Sequence, residues 1–177
     1  MSEIVEALSE EQIELVRNLF CEYHAELAPQ YRPRSFQAEL SGLPGVYAPP
    51  KGTLLLATVA GQPVGCVGLR PFPLEGACEM KRLYVRPTFR GGTAGKSLVD
   101  RLIQQARALG YRRLRLDTHP PTMVAAVSMY RRLGFREVVP DLAEPVEGLL
   151  YMELLLTAAQ TALPTPAIHS AGCAGSS

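Results

Sequence analysis

The chain has 177 residues, of which 47% are hydrophobic and 20% charged, and its formal net charge at pH 7 is +1. This composition excludes a largely disordered protein, and the near-neutral charge gives no electrostatic reason to expect nucleic acid or an anionic membrane as a partner. Because no apolar run approaches the roughly 20 residues that span a bilayer and the N-terminus lacks a signal-peptide pattern, we expect a soluble, cytoplasmic protein with one compact domain.

The N-terminal part of the chain predicts a short strand and two helices. Ile4–Leu8 reads as the strand, and Ser9 and Gln12 have the spacing of a capping box that opens a helix. Pro29 ends that helix, and a shorter one is expected over Ser35–Leu43. The apolar stripe of the first helix comprises Ile13, Val16, Leu19, Phe20, Tyr23 and Leu27.

From Thr53 onward the pattern predicts strands alternating with helices, and hence a mixed α/β (α+β) sheet with helices on it. The four cysteines and three histidines are too scattered to form disulfide pairs or a zinc site, so we expect no metal. Residues 157–177 are expected to form a flexible tail. The predicted elements are a hairpin of Thr53–Val59 and Pro63–Leu69, strand Cys78–Val85, a helix from about Gly95 to Leu109, strand Arg113–Thr118, helix Met123–Leu133, and strands Phe135–Val139 and Leu149–Leu156.

A glycine-rich loop follows the strand that ends at Val85. Its glycines let backbone N–H groups approach a phosphate, and the next helix adds its free amides and partial positive charge. A Walker loop would need glycine at position 90, where Arg90 stands, and no glycine set has the G-x-G-x-x-G spacing. Two readings stay open on the loop alone: an anion-binding loop, or a turn that merely connects strand and helix.

The segment Arg90–Gly95 resembles the acetyl-CoA motif of the GNAT superfamily of N-acyltransferases, Gln/Arg-x-x-Gly-x-Gly/Ala. Thr93 stands where the middle glycine is usual, so its backbone must be helical or extended, and its hydroxyl could cap the helix or bind phosphate. Glu79–Pro87 resembles the family's bulged strand into this loop, whose free backbone groups pair with the pantetheine arm of CoA, and Met129–Phe135 matches its Tyr-x-x-x-Gly-Phe signature.

This resemblance extends from about Thr53 to Leu155 and implies the GNAT fold, a largely antiparallel mixed sheet of six to seven strands with about four helices. It further implies one domain over residues 1–156, with an acceptor-side segment at 1–50 and an acyl-CoA-binding core at 53–155. Acetyl-CoA would be the cosubstrate. The residues implied to bind it are the backbone groups of Leu83 and Val85 and the loop residues Arg90, Gly91, Gly92, Thr93, Ala94, Gly95 and Lys96.

Two residues acquire candidate catalytic roles from the resemblance. Glu79 occupies the position of a general base, and Tyr130 that of the general acid that protonates the CoA thiolate. Glu79 could instead pair with Lys81 or Arg82, and Tyr130 could be a core residue with its hydroxyl at the edge. No covalent intermediate is implied, so transfer would be direct in a ternary complex.

We expect the acceptor to be a primary amine of a small or amino-acid-like molecule, with a carboxylate that pairs with an arginine. Three alternatives stay open: a protein or peptide N-acetyltransferase, a non-catalytic acyl-CoA-binding module of the same fold, and a nucleotide-dependent phosphotransferase. The sequence does not fix the oligomeric state, and a homodimer stays open.

Overall fold

The computed structural model describes residues 2–120, 123–140 and 146–156. These residues form four α-helices and seven strands, which agrees with the predicted fold class. The helices are α1 (Glu10–Glu26), α2 (Phe36–Ser41), α3 (Ala94–Ala108) and α4 (Val124–Arg132). The strands are β1 (Glu3–Glu6), β2 (Thr53–Val59), β3 (Gln62–Pro71), β4 (Ala77–Val85), β5 (Arg113–Thr118), β6 (Arg136–Glu137) and β7 (Leu150–Leu155).

All seven strands belong to one sheet in the order β1-β2-β3-β4-β5-β7-β6. Every neighbouring pair is antiparallel except β4 and β5, which run parallel. Their pairing covers only Ala77–Glu79 against Arg113–Arg115, although β4 continues to Val85 and β5 to Thr118. Beyond Glu79, the β5-facing edge of β4 therefore has no strand partner within the described chain. A gap opens in the middle of the sheet.

The sheet buries a different apolar set on each face, as the alternation of side chains along a strand requires. On one face α3 packs through Leu98 and Leu102 against Leu55 and Leu69. On the other face α1 contributes the buried stripe of Val16, Leu19 and Phe20, which packs against Leu54, Leu56, Cys66 and Tyr84.

A β-bulge interrupts this alternation in β4. Cys66 pairs with Tyr84 and Gly68 with Lys81, so β4 holds one more residue than β3 between these pairs. Arg82 has a φ of 58°, in the left-handed region that non-glycine residues rarely adopt. As a result Met80, Leu83 and Val85 all pack on the α3 side, whereas in a regular strand Met80 would face the side opposite to Leu83 and Val85.

The side chain of Arg82 is held on the opposite face by a buried ion pair. Its guanidinium donates to both carboxylate oxygens of Glu39, with Nε–Oε1 at 3.1 Å and Nη2–Oε2 at 2.6 Å. The Tyr47 hydroxyl donates to the same carboxylate at 2.6 Å. These bonds fasten the segment around α2 to the bulge of β4.

Most predicted boundaries lie within a few residues of the observed ones. The capping box is confirmed, because Ser9 accepts from the Gln12 amide and the Gln12 side chain accepts from the Ser9 amide. Leu109 was expected in the core, yet it is exposed, because α3 ends at Ala108. The strand expected over Phe135–Val139 has only two residues.

The predicted tail, residues 157–177, lies outside the described residues. No helix in the described chain is long and apolar enough to cross a membrane.

Candidate active site

The gap between β4 and β5 leads to the N-terminus of α3, where backbone donors are free. Gly91 has a φ of 79°, and Thr93 precedes the helix with helical backbone angles, as its β-branched side chain requires. Its hydroxyl does not cap the helix. The first helical bond is from the Ser97 amide to the Thr93 carbonyl, so within the described chain the amides of Ala94, Gly95 and Lys96 have no acceptor.

These three amides and the helix dipole form an anion site suited to a pyrophosphate. The unpaired edge of β4 beside them can pair with an amide-containing arm. The residues present therefore fit the CoA moiety of an acyl-CoA, which carries a pyrophosphate at one end and an amide-containing arm leading to its sulfur.

The two charged residues of the loop already have partners in the protein. Arg90 donates from Nε to the Val85 carbonyl at 2.8 Å and from Nη2 to Glu26 at 2.6 Å, and its guanidinium lies 5.5 Å from the Tyr84 ring centroid. Lys96 pairs with Asp100 one turn along α3. Arg90 thus joins the loop to the end of α1, and the Val85 carbonyl, expected to be free for acyl-CoA, is occupied by Arg90.

Tyr130 lies on α4 at a cavity of about 370 Å³, whose wall also includes Tyr23, Leu83 and Asp117. The tyrosine is only 4% exposed, and no hydrogen bond to its hydroxyl is found among the described residues. Burial, aided by the nearby Tyr23 and Asp117, raises the pKa of Tyr130 above its ordinary value. The phenol is therefore protonated and has its proton available for donation.

Glu79 lines a second, larger cavity of about 660 Å³ and is not among the described residues that line the smaller one. Its carboxylate accepts from Arg70 Nη2 at 2.8 Å and from Lys81 Nζ at 3.2 Å. Of the two cations expected as partners, Lys81 is correct and Arg82 is wrong, because the bulge turns Arg82 towards Glu39. The structure therefore puts Glu79 and Tyr130 in adjoining cavities.

Two residues connect these cavities: Lys81, expected only as a partner of Glu79, and Asp117, which the sequence analysis did not single out. Lys81 on β4 and Asp117 on β5 line both cavities, and their side chains pair across the gap at 2.5 Å. Burial alone would lower the pKa of Lys81, but Asp117 and Glu79 raise it above the ordinary value, so it is an ammonium. The available signal was the alternation in β5, which buries Leu114 and Leu116 and turns Asp117 to the face of Glu79.

The fold is similar to solved structures described as acetyltransferases. The structure of yncA from Salmonella typhimurium, solved with acetyl-CoA, covers 93% of this chain with a TM-score of 0.66 and 19% identity, and the chain covers 98% of it. At that identity the likeness shows the fold alone.

The family follows from the sequence comparisons. A model of the acetyltransferase (GNAT) family matches residues 13–135, and the chain belongs to this family of enzymes. An uncharacterised N-acetyltransferase of Schizosaccharomyces pombe is 39% identical over 134 residues, which are 75% of this chain and 82% of that protein. A protein named IAA acetyltransferase from Azospirillum brasilense is 36% identical over 93 residues, or 52% of this chain and 60% of that protein.

We predict that Arg90→Ala weakens acetyl-CoA binding by roughly tenfold, because it removes a charge and the anchor of the loop. Titration calorimetry with acetyl-CoA measures the effect. Glu26→Gln is the matched control: it keeps the shape and an acceptor for Arg90 but removes a negative charge beside the loop, so affinity should be unchanged or higher. Equal affinity of wild type and Arg90→Ala would mean that this loop does not bind acyl-CoA.

Proposed function

We propose that this enzyme transfers an acetyl group from acetyl-CoA to the primary amine of a small molecule. The observation that carries the proposal is the 660 Å³ cavity, which is of small-molecule size and shares Lys81 and Asp117 with the cavity of Tyr130. The free amides at the start of α3, together with the acetyl-CoA in the yncA structure, support acetyl-CoA as cosubstrate. The N-acetyltransferase name of the Schizosaccharomyces pombe relative supports an amine as acceptor.

In the proposed reaction the amine nitrogen attacks the thioester carbonyl carbon, the C–N bond forms and the C–S bond breaks. Tyr130 donates its phenolic proton to the departing sulfur, and a carboxylate accepts the proton that the amine loses. The products are the N-acetylated amide and CoA with a free thiol. The pyrophosphate would lie at the amides of Ala94, Gly95 and Lys96, and the arm would run beside Leu83 on the free edge of β4.

We propose Glu79 as the base, acting through Lys81 or a water molecule on the acceptor amine. Two cations, Arg70 and Lys81, hold its carboxylate and occupy both of its oxygens. Asp117 has one ion-pair partner among the described residues and lines both cavities, so it is the second candidate for the same proton.

The proposed function is tested by two measurements on the full chain. Acetyl-CoA should raise the melting temperature, and ATP should not. Thiol release should then depend on an added small amine, with the N-acetyl product identified by mass spectrometry. Binding without turnover across small amines and peptides would leave a non-catalytic acyl-CoA-binding module. Turnover with peptides but not with small amines would leave a protein or peptide N-acetyltransferase.

Tyr130→Phe should lower kcat by roughly a hundredfold, because the thiolate then leaves without its proton donor. Affinity for acetyl-CoA should change little, since only the hydroxyl is removed. Rapid-quench assays and acetyl-CoA titration separate the two quantities. An unchanged kcat would remove the acid role.

The base is identified by comparing Glu79→Gln with Asp117→Asn over a range of pH. Loss of the base should lower the rate most at low pH, where the acceptor is an ammonium whose proton must be removed in the complex. At high pH the free amine needs less help, so the two curves should converge. We expect the rate of Glu79→Gln to fall below that of the wild type mainly at low pH. If Glu79→Gln instead loses rate equally at every pH, and Asp117→Asn loses rate mainly at low pH, the base is Asp117.

A further inference from the structure

Four charged side chains form a continuous row along the floor of the larger cavity. The row runs from Arg70 on β3 through Glu79 and Lys81 on β4 to Asp117 on β5. Its links are Arg70 Nη2 to Glu79 Oε2 at 2.8 Å, Glu79 Oε1 to Lys81 Nζ at 3.2 Å, and Lys81 Nζ to Asp117 Oδ1 at 2.5 Å. We call these four residues the charged row.

The two end residues of the charged row have opposite charges, and within the described chain each has an ion-pair partner on one side only. Glu79 and Lys81 each have an ion-pair partner on both sides. Within the described chain, Arg70 pairs with Glu79 alone and Asp117 with Lys81 alone. Arg70 is also the more open end, with its side chain 35% exposed. The four charges of the row sum to zero, but the cation at one end and the anion at the other could each accept a second partner of opposite charge.

The anionic end lies nearest to the proposed chemistry. Arg70 and Asp117 both line the smaller cavity with Tyr130, but of the two only Asp117 contributes to the raised pKa of Tyr130. An ammonium held by Asp117 would therefore lie beside the tyrosine, with Arg70 two strands away. The links of the row keep the Arg70 guanidinium and the Asp117 carboxylate within about 11 Å of each other, which limits the site to a small molecule with a hydrogen bond at each end.

The remainder of the larger cavity is mostly apolar. Apart from the charged row and Arg115, its lining has no charged side chain within the described residues. Arg115 itself lies 5.0 Å from the Phe72 ring centroid and donates to Glu153 at 2.8 Å. The apolar wall is formed chiefly by Phe72, Leu149, Tyr151 and Met152, with Val46 and Val146 at the edge.

We propose that the acceptor is a free amino acid with an apolar side chain, whose ammonium binds Asp117 and whose carboxylate binds Arg70. The side chain lies against Phe72 and its apolar neighbours. This inference rests on the proposed function and names its substrate class. A polyamine has no carboxylate for Arg70, and the side chains of a basic peptide would meet the mostly apolar wall of the larger cavity, so both fit poorly.

The test compares three acceptors that share one apolar body: phenylalanine, phenylalaninamide and phenethylamine. With wild-type enzyme, kcat/KM for phenylalanine should exceed that for each of the other two by roughly tenfold to a hundredfold, the effect of one charge-assisted hydrogen bond. Arg70→Gln should reduce this ratio to near one, and Arg70→Lys should keep most of it. A merely structural role of Arg70 would lower all three rates together and leave the ratio unchanged.

The outcomes separate this inference from the proposed function. Equal rates for the three acceptors in the wild type would overturn the carboxylate site and leave small-amine acetylation standing. A faster rate with the amide would point to the N-terminus of a peptide and overturn the free amino acid. Faster turnover of aspartate or lysine than of phenylalanine would overturn the apolar side chain. No turnover of any amine, despite binding of acetyl-CoA, would instead be the failure of the proposed function.

Discussion

The separation of β4 from β5 is the constraint on which the rest of this site depends. The two strands pair over three residues each and then diverge, while all other neighbours in the sheet stay antiparallel. A strand edge without a partner must satisfy its backbone groups elsewhere, and a ligand arm with amides can do this. The same gap connects the two cavities, and the Lys81–Asp117 ion pair crosses it. The proposed cosubstrate and acceptor sites thus both depend on one break in the hydrogen bonding of the sheet.

The bulge at Arg82 adjusts the side chains along that edge. Without the extra residue, Leu83 and Val85 would face α1, and the surface beside the gap would lose these two apolar side chains. The strained backbone persists because the guanidinium is held by two bonds to Glu39, with the side chains 9% and 12% exposed. A buried ion pair of this kind adds little net stability, but removal of one partner leaves the other charge buried without a counter-ion. It therefore fixes the geometry of β4 more than it stabilises the fold.

The sequence predicted the family and the fold class, and the comparisons confirm both. The reason is that amphipathic periods report burial directly: the 3.6-residue period of α3 identified Leu98, Leu102 and Ala106 as core. The bulge was implied only by the resemblance to the family's bulged strand, because its one trace in the residues themselves is a break in the alternation of β4. Asp117 was missed because its importance depends on where two strands separate, and the Arg90–Glu26 contact joins residues that only tertiary packing brings together. The roles of the site residues stay predictions.

The Lys81–Asp117 pair also has a consequence for the way in which a ligand enters. Lys81 is the counter-ion that the protein itself supplies to Asp117, so the charges on the cavity floor balance one another without a ligand. A balanced floor projects little field into the solvent, and it recruits neither free cations nor charged ligands from a distance. Recognition therefore begins only when the ligand reaches the cavity, where its ammonium must share the Asp117 carboxylate with the Lys81 ammonium. The site discriminates by local fit, and ionic strength has little influence on the encounter.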